Sequence, residues 1–214
     1  MTFPTPGAPD AAALCDLNER AQAALYTGDT IADARFEDDS LEPIASGTLE
    51  FSRCTFRRVT FRPGRADRLH FSGCSFEKCD FSGFAFRDGT LLQCAFDGCR
   101  GAGVQFEGMS LRQVRFIRCQ LSYAALVNDR LRKTAFEDCQ MDHLLMHRCR
   151  QEETTLLNCD LTGAEIVETS LSGIDLSACA LDGIRASIAS FAGCRVSLTQ
   201  SPVLLSLCGI ELAR

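Results

Sequence analysis

Large apolar side chains recur every five residues from Ile31 to Val196, with mostly polar residues between them. Two residues before each of these central positions, the side chain is again small or apolar. A helix has a period of 3.6 residues and a strand a period of two, so neither explains this spacing. A short fixed period is typical of repeat architectures, and here it predicts a solenoid.

A second period of 20 residues shows how the five-residue units stack. Like residues return at every fourth unit, which predicts a four-sided coil with one inner column of phenylalanine rings and another of thiols. Adjacent coils should be separated by the inter-strand spacing of about 4.8 Å, which gives a rod about 40 Å long. The repeating residues are Phe36, Phe56, Phe76, Phe96, Phe116 and Phe136, and Cys79, Cys99, Cys119, Cys139, Cys159 and Cys179.

Units such as Cys74–Lys78, Cys79–Gly83 and Cys159–Gly163 resemble those of pentapeptide-repeat proteins. The resemblance implies an all-β fold, a right-handed quadrilateral β-helix with short N-terminal and C-terminal capping helices. We divide the chain into an N-terminal tail and capping helix (1–27), the β-helix (28–198) and a C-terminal helix and strand that form a dimerisation cap (199–214).

Both ends of the repeat carry helical signals. Residues 10–25 have apolar side chains at helical spacing, and a proline-containing tail (1–9) precedes them. At the other end, Ser201 and Pro202 predict a helix start and Gly209 a helix stop. The apolar positions of the N-terminal helix are Leu14, Leu17, Ala21 and Leu25.

Four stretches suggest a narrower resemblance. Gly28–Ile31 with Arg35–Phe36, Cys99–Gly103 with Phe106 and Gly108, and Leu121–Ala124 resemble segments of the Qnr quinolone-resistance proteins. Residues 196–212 resemble the C-terminal segment of the albicidin-immunity protein. The likeness to these gyrase-protecting proteins implies a homodimer that mimics duplex DNA and binds DNA gyrase or topoisomerase IV. It also implies a hinge at Gly101. The longer second Qnr loop is absent between Leu111 and Leu121.

The C-terminal helix carries more apolar side chains than one solvated turn would hold. They either cover the last coil, because solenoid ends need closing, or form a twofold dimer interface. Both roles are compatible. The candidate interface residues are Val203, Leu204, Leu205, Leu207, Ile210 and Leu212.

The segment from Arg62 to Arg68 keeps the count of five but lacks both inward apolar residues. We expect a small outward loop whose arginines contact an acidic surface or nucleic acid, or form a solvated turn. The alternative to a loop is a weak face of the coil. The charged loop candidates are Arg62, Arg65, Asp67 and Arg68.

Charge is unevenly distributed along a chain of net charge −6. Residues 151–214 contain eight acids against three arginines, so this region has a net charge of −5. In a dimer, the two acidic regions would meet where DNA phosphates normally bind. The alternative is a solvated surface of mixed charge. The candidate acidic surface consists of Asp160, Glu165, Glu168, Asp175 and Asp182.

Catalytic chemistry has no support in the pattern. Cys139 and Cys149 fall on inward positions, whereas His143 and His147 fall on outward ones, so these four residues should not bind zinc. Eleven of the 13 cysteines lie two residues before a central position, and we expect buried free thiols. The sequence contains no phosphate-binding glycine loop, nucleophile elbow or zincin motif.

We therefore expect a non-catalytic cytoplasmic protein without cofactor, metal, membrane or direct nucleic-acid contacts. The leading hypothesis is an immunity protein that protects DNA gyrase from a topoisomerase poison of the albicidin or quinolone kind. The alternative is a structural or adaptor solenoid with an unrelated protein partner.

Overall fold

The computed structural model describes residues 16–44 and 46–210, which form a four-sided parallel β-helix. Each strand pairs in parallel with the strand one coil away, so that Phe36 lies opposite Phe56 and Phe56 opposite Phe76. The register is 20 residues per coil. The predicted square coil, with its all-β fold and a short helix at either end, is confirmed.

Four faces alternate along the chain, and we number them by their first strand. The first face contains β1 (Ile31–Ala32), β4 (Leu49–Ser52), β8 (Leu69–Ser72), β11 (Thr90–Leu92), β14 (Ser110–Arg112), β17 (Arg130–Arg132) and β20 (Arg150–Glu152). The second contains β2 (Arg35–Glu37), β5 (Thr55–Arg57), β9 (Ser75–Glu77), β12 (Ala95–Asp97), β15 (Arg115–Ile117), β18 (Ala135–Glu137) and β21 (Thr155–Leu157).

The other two faces differ in regularity. The third begins with β3 (Ser40–Leu41) and β6 (Thr60–Phe61) and continues as single bridges from Asp80 to Ala180. The fourth contains β7 (Gly64–Asp67), β10 (Phe84–Arg87), β13 (Gln105–Glu107), β16 (Ala125–Val127), β19 (Leu145–His147), β22 (Glu165–Val167) and β23 (Arg185–Ala186). Helix α1 (Leu17–Thr27) precedes the coil. Two 3₁₀ helices (Ile188–Phe191 and Leu198–Gln200) and α2 (Ser201–Leu207) end it.

The core is a column of stacked side chains. On the second face, Phe76 stacks on Phe56 with ring centroids 4.8 Å apart and on Phe96 at 4.4 Å. Phe71 of the first face meets Phe76 edge-on at 5.1 Å. Both arrangements are favourable for aromatic pairs, since they avoid a direct face-to-face overlap of the ring quadrupoles. The predicted inner phenylalanine column is therefore confirmed.

Helix α1 closes the first coil. It begins after Asp16, whose carboxylate accepts the Glu19 N–H at 2.9 Å, and ends at Gly28, which has a φ of 77°. Asp39 in the first coil accepts the Leu17 N–H at 2.8 Å, and Leu17 is fully buried. The helix contains Leu17 to Thr27, and residues 10–15 of the predicted helix lie outside the described residues. Leu14 and the tail 1–9 lie outside the described residues.

The predicted loop at 62–68 is wrong, because Gly64–Asp67 is β7 and pairs with β10 along its whole length. Ala66 occupies the inward centre and is fully buried. Ile44 bridges Ala66 and Phe84 lies opposite Gly64, and both of these large side chains are buried. The segment is therefore the alternative that the sequence left open, a weak face of the coil, with the small Ala66 at its inward centre.

The irregular segment lies one coil earlier. Ile44 bridges Ala66 rather than a residue 20 positions later, while Leu49 returns to the regular pairing with Leu69. The turn between them includes Gly47, whose φ is 104°. A Cβ at Gly47 would lie 2.8 Å from Leu25 Cδ2 of α1, so the glycine allows the helix to approach.

None of the helices in the described ranges is long and apolar enough to cross a membrane.

Candidate interaction surfaces

The C-terminal segment closes the last coil with one side of a short helix. Val203, Leu204 and Leu207 of α2 pack against the core and are partly buried. The helix begins at Ser201, where the sequence predicts a helix start, and the N-cap residue is Gln200. It ends at Leu207, and Gly209 follows in the left-handed conformation with a φ of 73°.

Gln200 anchors this segment, and the sequence analysis missed it. Its amide nitrogen Nε2 donates to the carbonyl oxygens of Leu176 at 2.8 Å and Cys179 at 2.7 Å. Its oxygen Oε1 accepts the Ser197 N–H at 2.7 Å. Because Gln200 is buried and all three bonds bridge to backbone, it fixes the start of α2 over the last coil. A buried glutamine outside the repeat register gives only a weak sequence signal.

Several apolar side chains at this end face outward. Leu198 is 93% exposed and Ile210 is 48% exposed, and Ile188 of the preceding 3₁₀ helix is 46% exposed. Leu205 is half-buried but is not among the residues packed on the core. Leu212 and the strand predicted around it lie outside the described residues. The structure therefore places some of the candidate interface on the core and some of it in solvent.

The five candidate acids are spread over different faces and corners. Glu165 forms an ion pair with Arg185 at 3.2 Å, Glu168 with Arg148 at 2.8 Å and Asp175 with Arg195 at 3.3 Å. Arg148 lowers the pKa of Glu168, and Ser177 with Arg195 lowers that of Asp175. Each pair joins adjacent coils and cancels one negative charge.

Asp160 and Asp182 are the acids of this set without an ion pair among the described residues. Both lie beside the third face: Asp160 directly precedes the inward Leu161, and Asp182 directly follows the inward Leu181. The Asp160 carboxylate accepts the Thr162 N–H at 2.9 Å, a local turn contact that leaves its charge uncompensated. Any negative potential of the C-terminal region is therefore concentrated near this face.

The charged side chains of the 62–68 segment extend from a regular strand and its flanks. Arg65 pairs with Asp67 at 3.1 Å, and Arg62 lies 3.7 Å from Glu42. Arg68 donates to the Thr48 hydroxyl at 3.1 Å. These contacts are made to the same coil and to the preceding one, so the segment does not form a protruding arm.

Gly101 stands in the inward column of the third face between Phe81 and Leu121. A Cβ there would lie 2.9 Å from Leu121 Cδ2 and 3.1 Å from Val104 Cγ1. Its N–H donates to the Gln120 carbonyl at 2.7 Å, and Arg100 bridges both neighbouring coils. The backbone ladder is thus continuous across Gly101, while the column of large side chains is interrupted. Its role as a hinge stays a prediction.

The cysteine column lies inside the coil as expected. The Cys99 thiol donates to the Phe76 carbonyl at 3.4 Å, and Cys119 makes the same contact with Phe96 at 3.6 Å. The cysteines in the described ranges are free, and only Cys208 is exposed while Cys194 is partly so. Burial raises the pKa of the Cys149 thiol to about 11, so it is a neutral donor near pH 7.

Histidine and cysteine do not converge on a metal site. His143 stacks on Tyr123 at the surface with ring centroids 4.7 Å apart, whereas Cys139 and Cys149 are buried. Within residues 16–44 and 46–210, no three or more His, Cys, Asp or Glu side chains are grouped so as to hold a metal ion.

Asp129 is a fully buried carboxylate that the sequence analysis did not single out. One oxygen accepts the Met109 N–H at 2.7 Å and the other accepts the Val127 N–H at 3.1 Å. Desolvation raises its pKa to about 7, against the lowering effect of these two bonds. The signal was a polar residue two positions before a central leucine, where the repeat otherwise has small or apolar side chains.

Comparison with known proteins gives a family-model match for the middle of the β-helix. Residues 69–144 match a family model described as a pentapeptide repeat region. Over this matched segment the β-helix has the five-residue register that the description names. Its five-residue register and parallel pairing continue on both sides of the matched segment. The comparison with curated proteins returned no match.

Solved structures resemble the chain at low identity. One is full-length QnrB1, described as a plasmid-mediated fluoroquinolone resistance protein, with 18% identity and a TM-score of 0.36 over 85% of this chain and 99% of that one. Another is HetL, a pentapeptide-repeat protein involved in heterocyst differentiation regulation from the cyanobacterium Nostoc sp. strain PCC 7120. It has 14% identity and a TM-score of 0.44 over 86% of this chain and 91% of HetL.

Proposed function

We propose that this pentapeptide-repeat protein acts without catalysis, as a homodimer that binds DNA gyrase and protects it from a topoisomerase poison. The observation that carries the proposal is the C-terminal segment. It combines a resemblance to the albicidin-immunity protein over 196–212 with apolar side chains, Leu198 and Ile210, that remain exposed after the coil is closed. Exposed apolar groups at the end of a solenoid favour association with a second copy.

The gyrase-binding surface in this proposal is the acidic region of the third face. Asp160 and Asp182 supply charge there without an arginine partner among the described residues. The paired acids Glu165, Glu168 and Asp175 contribute less, because each is compensated by an arginine of an adjacent coil. A twofold dimer would bring two such surfaces near the centre of a longer rod, where a DNA-binding enzyme would meet them in place of phosphates.

Purified gyrase provides the direct test. Drug-stabilised cleavage of plasmid DNA would be measured with an albicidin-like or a quinolone inhibitor, with and without the protein, and binding to gyrase would be measured separately by surface plasmon resonance. We expect the protein to lower the fraction of cleaved DNA and to bind gyrase directly. If the protein neither rescues gyrase nor binds it, the proposal is refuted and an adaptor with another partner is favoured.

Charge variants test the surface itself. The Asp160→Asn/Asp182→Asn variant removes two charges without breaking an ion pair, and the amide introduced at position 160 keeps an oxygen acceptor for the Thr162 N–H. The matched control, Asp29→Asn/Glu50→Gln, removes two charges at the other end of the coil. We expect gyrase binding to weaken at least tenfold in the first variant and less than twofold in the control. Equal losses would show that only net charge matters.

A further inference from the structure

The first face carries a group of arginines that the proposed function does not use. Arg130 on β17 lies directly opposite Arg150 on β20, and Arg112 on β14 lies opposite Arg132 on β17. All four side chains are exposed. The outward positions of these three strands thus carry four positive charges and the single negative charge of Glu152.

Ion pairing does not account for three of these arginines. Arg132 Nε lies 3.3 Å from Glu152 Oε2, which compensates that charge. Arg112, Arg130 and Arg150 have no acidic partner within 4.0 Å among the described residues, whereas most other arginines of the coil do. Like charges directly opposite on neighbouring strands are destabilising. An anion bound from outside would remove that cost.

The same residues line a groove. A cavity of about 390 Å³ is bounded by Arg112, Arg130, Arg132 and Arg150, with Ser110, Gln151 and Glu152. A second cavity of about 410 Å³ around the adjacent corner shares Arg130 and Arg150 and is also lined by Asp129 and by the ion pair of Arg148 with Glu168. Guanidinium groups present a planar fork of donors that matches carboxylate oxygens.

The dimensions favour one kind of anion. The three unpaired arginines span two coil steps, about 10 Å along the rod. Carboxylates on alternate residues of an extended chain are spaced about 7 Å apart, so two or three would cover this distance. The six to ten phosphate contacts of a typical duplex-binding protein need a longer basic track. Single-stranded nucleic acid needs aromatic platforms, and the outward positions of β1, β4, β8, β11, β14, β17 and β20 carry no Phe, Tyr or Trp.

We propose that the groove formed by Arg112, Arg130 and Arg150 binds an acidic protein segment, rich in Asp or Glu and in extended conformation. The site lies on a different face from the acidic surface and does not include the C-terminal helix, so it does not depend on the gyrase proposal. The chain would then present two surfaces of opposite charge to its protein partners.

A fluorescein-labelled decaglutamate peptide is the probe for this site. Its affinity for the full-length protein would be measured by fluorescence anisotropy in 50 mM NaCl, with Arg112→Gln/Arg130→Gln/Arg150→Gln as the test variant. The matched control is Arg87→Gln/Arg118→Gln/Arg195→Gln, which removes three arginines that are each already paired with an acid. We expect the dissociation constant to rise at least tenfold in the test variant and less than twofold in the control.

Three results would overturn the proposal. The first is that the peptide does not bind detectably to the unmodified protein, and the second is that both variants lose equal affinity for the peptide. The third is that a labelled 20-base-pair duplex binds more tightly than the peptide and depends on the same arginines. Thermal melting checks that both variants are folded. Binding of a decaglutamine peptide to the unmodified protein adds a test without mutation, since we expect it to be at least tenfold weaker than that of decaglutamate.

Discussion

The carboxylate of Asp129 accepts a hydrogen bond from the backbone N–H of Met109 on the preceding coil, 2.7 Å away. Two coils further along this column, the Thr169 hydroxyl accepts the Cys149 N–H in the same way, at 3.1 Å. Side chains from one coil thus satisfy buried backbone donors of the coil before it. Unlike the neutral Thr169 hydroxyl, the Asp129 carboxylate is charged when ionised, and burying that charge costs free energy.

Asp129 should make stability depend on pH. Its pKa is raised to about 7 by burial, from an ordinary value of 3.8, so the folded protein holds this proton where the unfolded chain has lost it. The stabilising contribution is complete below about pH 4 and is lost as the pH rises through 7. We expect the free energy of unfolding of the wild type, relative to Asp129→Asn, to fall by about 4 kcal/mol from pH 4 to pH 8. Urea unfolding at several pH values measures this, and a flat difference would contradict it.

The phenylalanine stack should dominate core stability. Replacing Phe76 by Ala removes a ring that stacks on Phe56 and Phe96, and we expect a loss of about 3–5 kcal/mol. Leu157→Ala, at a side chain 50% exposed on the same face, should cost less than about 1 kcal/mol. Chemical denaturation of both variants gives the comparison. Similar losses would show that the stack has no special weight.

Gly89 should tolerate no side chain. A Cβ at this position would overlap the Leu69 carbonyl oxygen and lie 3.1 Å from Met109 Cε, so Gly89→Ala should cost about 2–3 kcal/mol. Gly103 has nothing within 4 Å of its Cβ position but a φ of 66°. Gly103→Ala should therefore cost only about 1 kcal/mol, the strain of the left-handed conformation. Thermal melting ranks the two, and the reverse order would refute the steric argument.

The C-terminal surface should control the oligomeric state. A Leu205→Glu/Ile210→Glu variant introduces two charges at this surface and leaves Val203 and Leu207, which pack on the core, unchanged. We expect this variant to be monomeric. Light scattering coupled to gel filtration measures the mass. Leu157→Glu, an exposed leucine on a side face, is the control and should leave a dimer. A monomeric wild type, or a dimer in all three proteins, would exclude this interface.

Buried thiols should be protected from alkylation. Iodoacetamide labelling of the native protein, followed by peptide mass spectrometry, should modify Cys208 quickly and leave the ten buried cysteines unmodified. Denaturation in urea should expose all of them. Rapid labelling of Cys99 or Cys119 in the native state would show that the coil opens at the third face. The ten are Cys54, Cys74, Cys79, Cys94, Cys99, Cys119, Cys139, Cys149, Cys159 and Cys179.

The fold could be predicted from the sequence because each side chain's orientation follows from its place in a five-residue register. Phe36, Phe56 and Phe76 repeat at the coil length, so their stacking was implied by the spacing alone. The prediction for segment 62–68 failed for a related reason. A small inward residue such as Ala66 is buried between the strands that pair with it, and the pattern of a single unit does not show these neighbours.

Surface features were less accessible to sequence reasoning. The acids of the C-terminal region looked like one charged set, but ion pairs such as Glu168–Arg148 form between coils and depend on which corner each residue occupies. The opposite case is Arg130 and Arg150. They are 20 residues apart, so the register alone predicts that they lie opposite each other on adjacent coils. Gln200 lies outside the register, so its three backbone contacts had no periodic signal.

Because the pairing register is 20 residues, the number of residues between two positions decides whether they lie on the same face. Deleting one complete coil of 20 residues would shorten the rod by about 4.8 Å and leave every later face in line. Deleting five residues between Arg112 and Arg130 would instead turn everything beyond the cut by a quarter of a circle, and Arg130 and Arg150 would leave the side on which Arg112 remains. The length of the rod and the side on which each face lies can therefore change independently. Only insertions or deletions of whole coils preserve a surface that spans several coils.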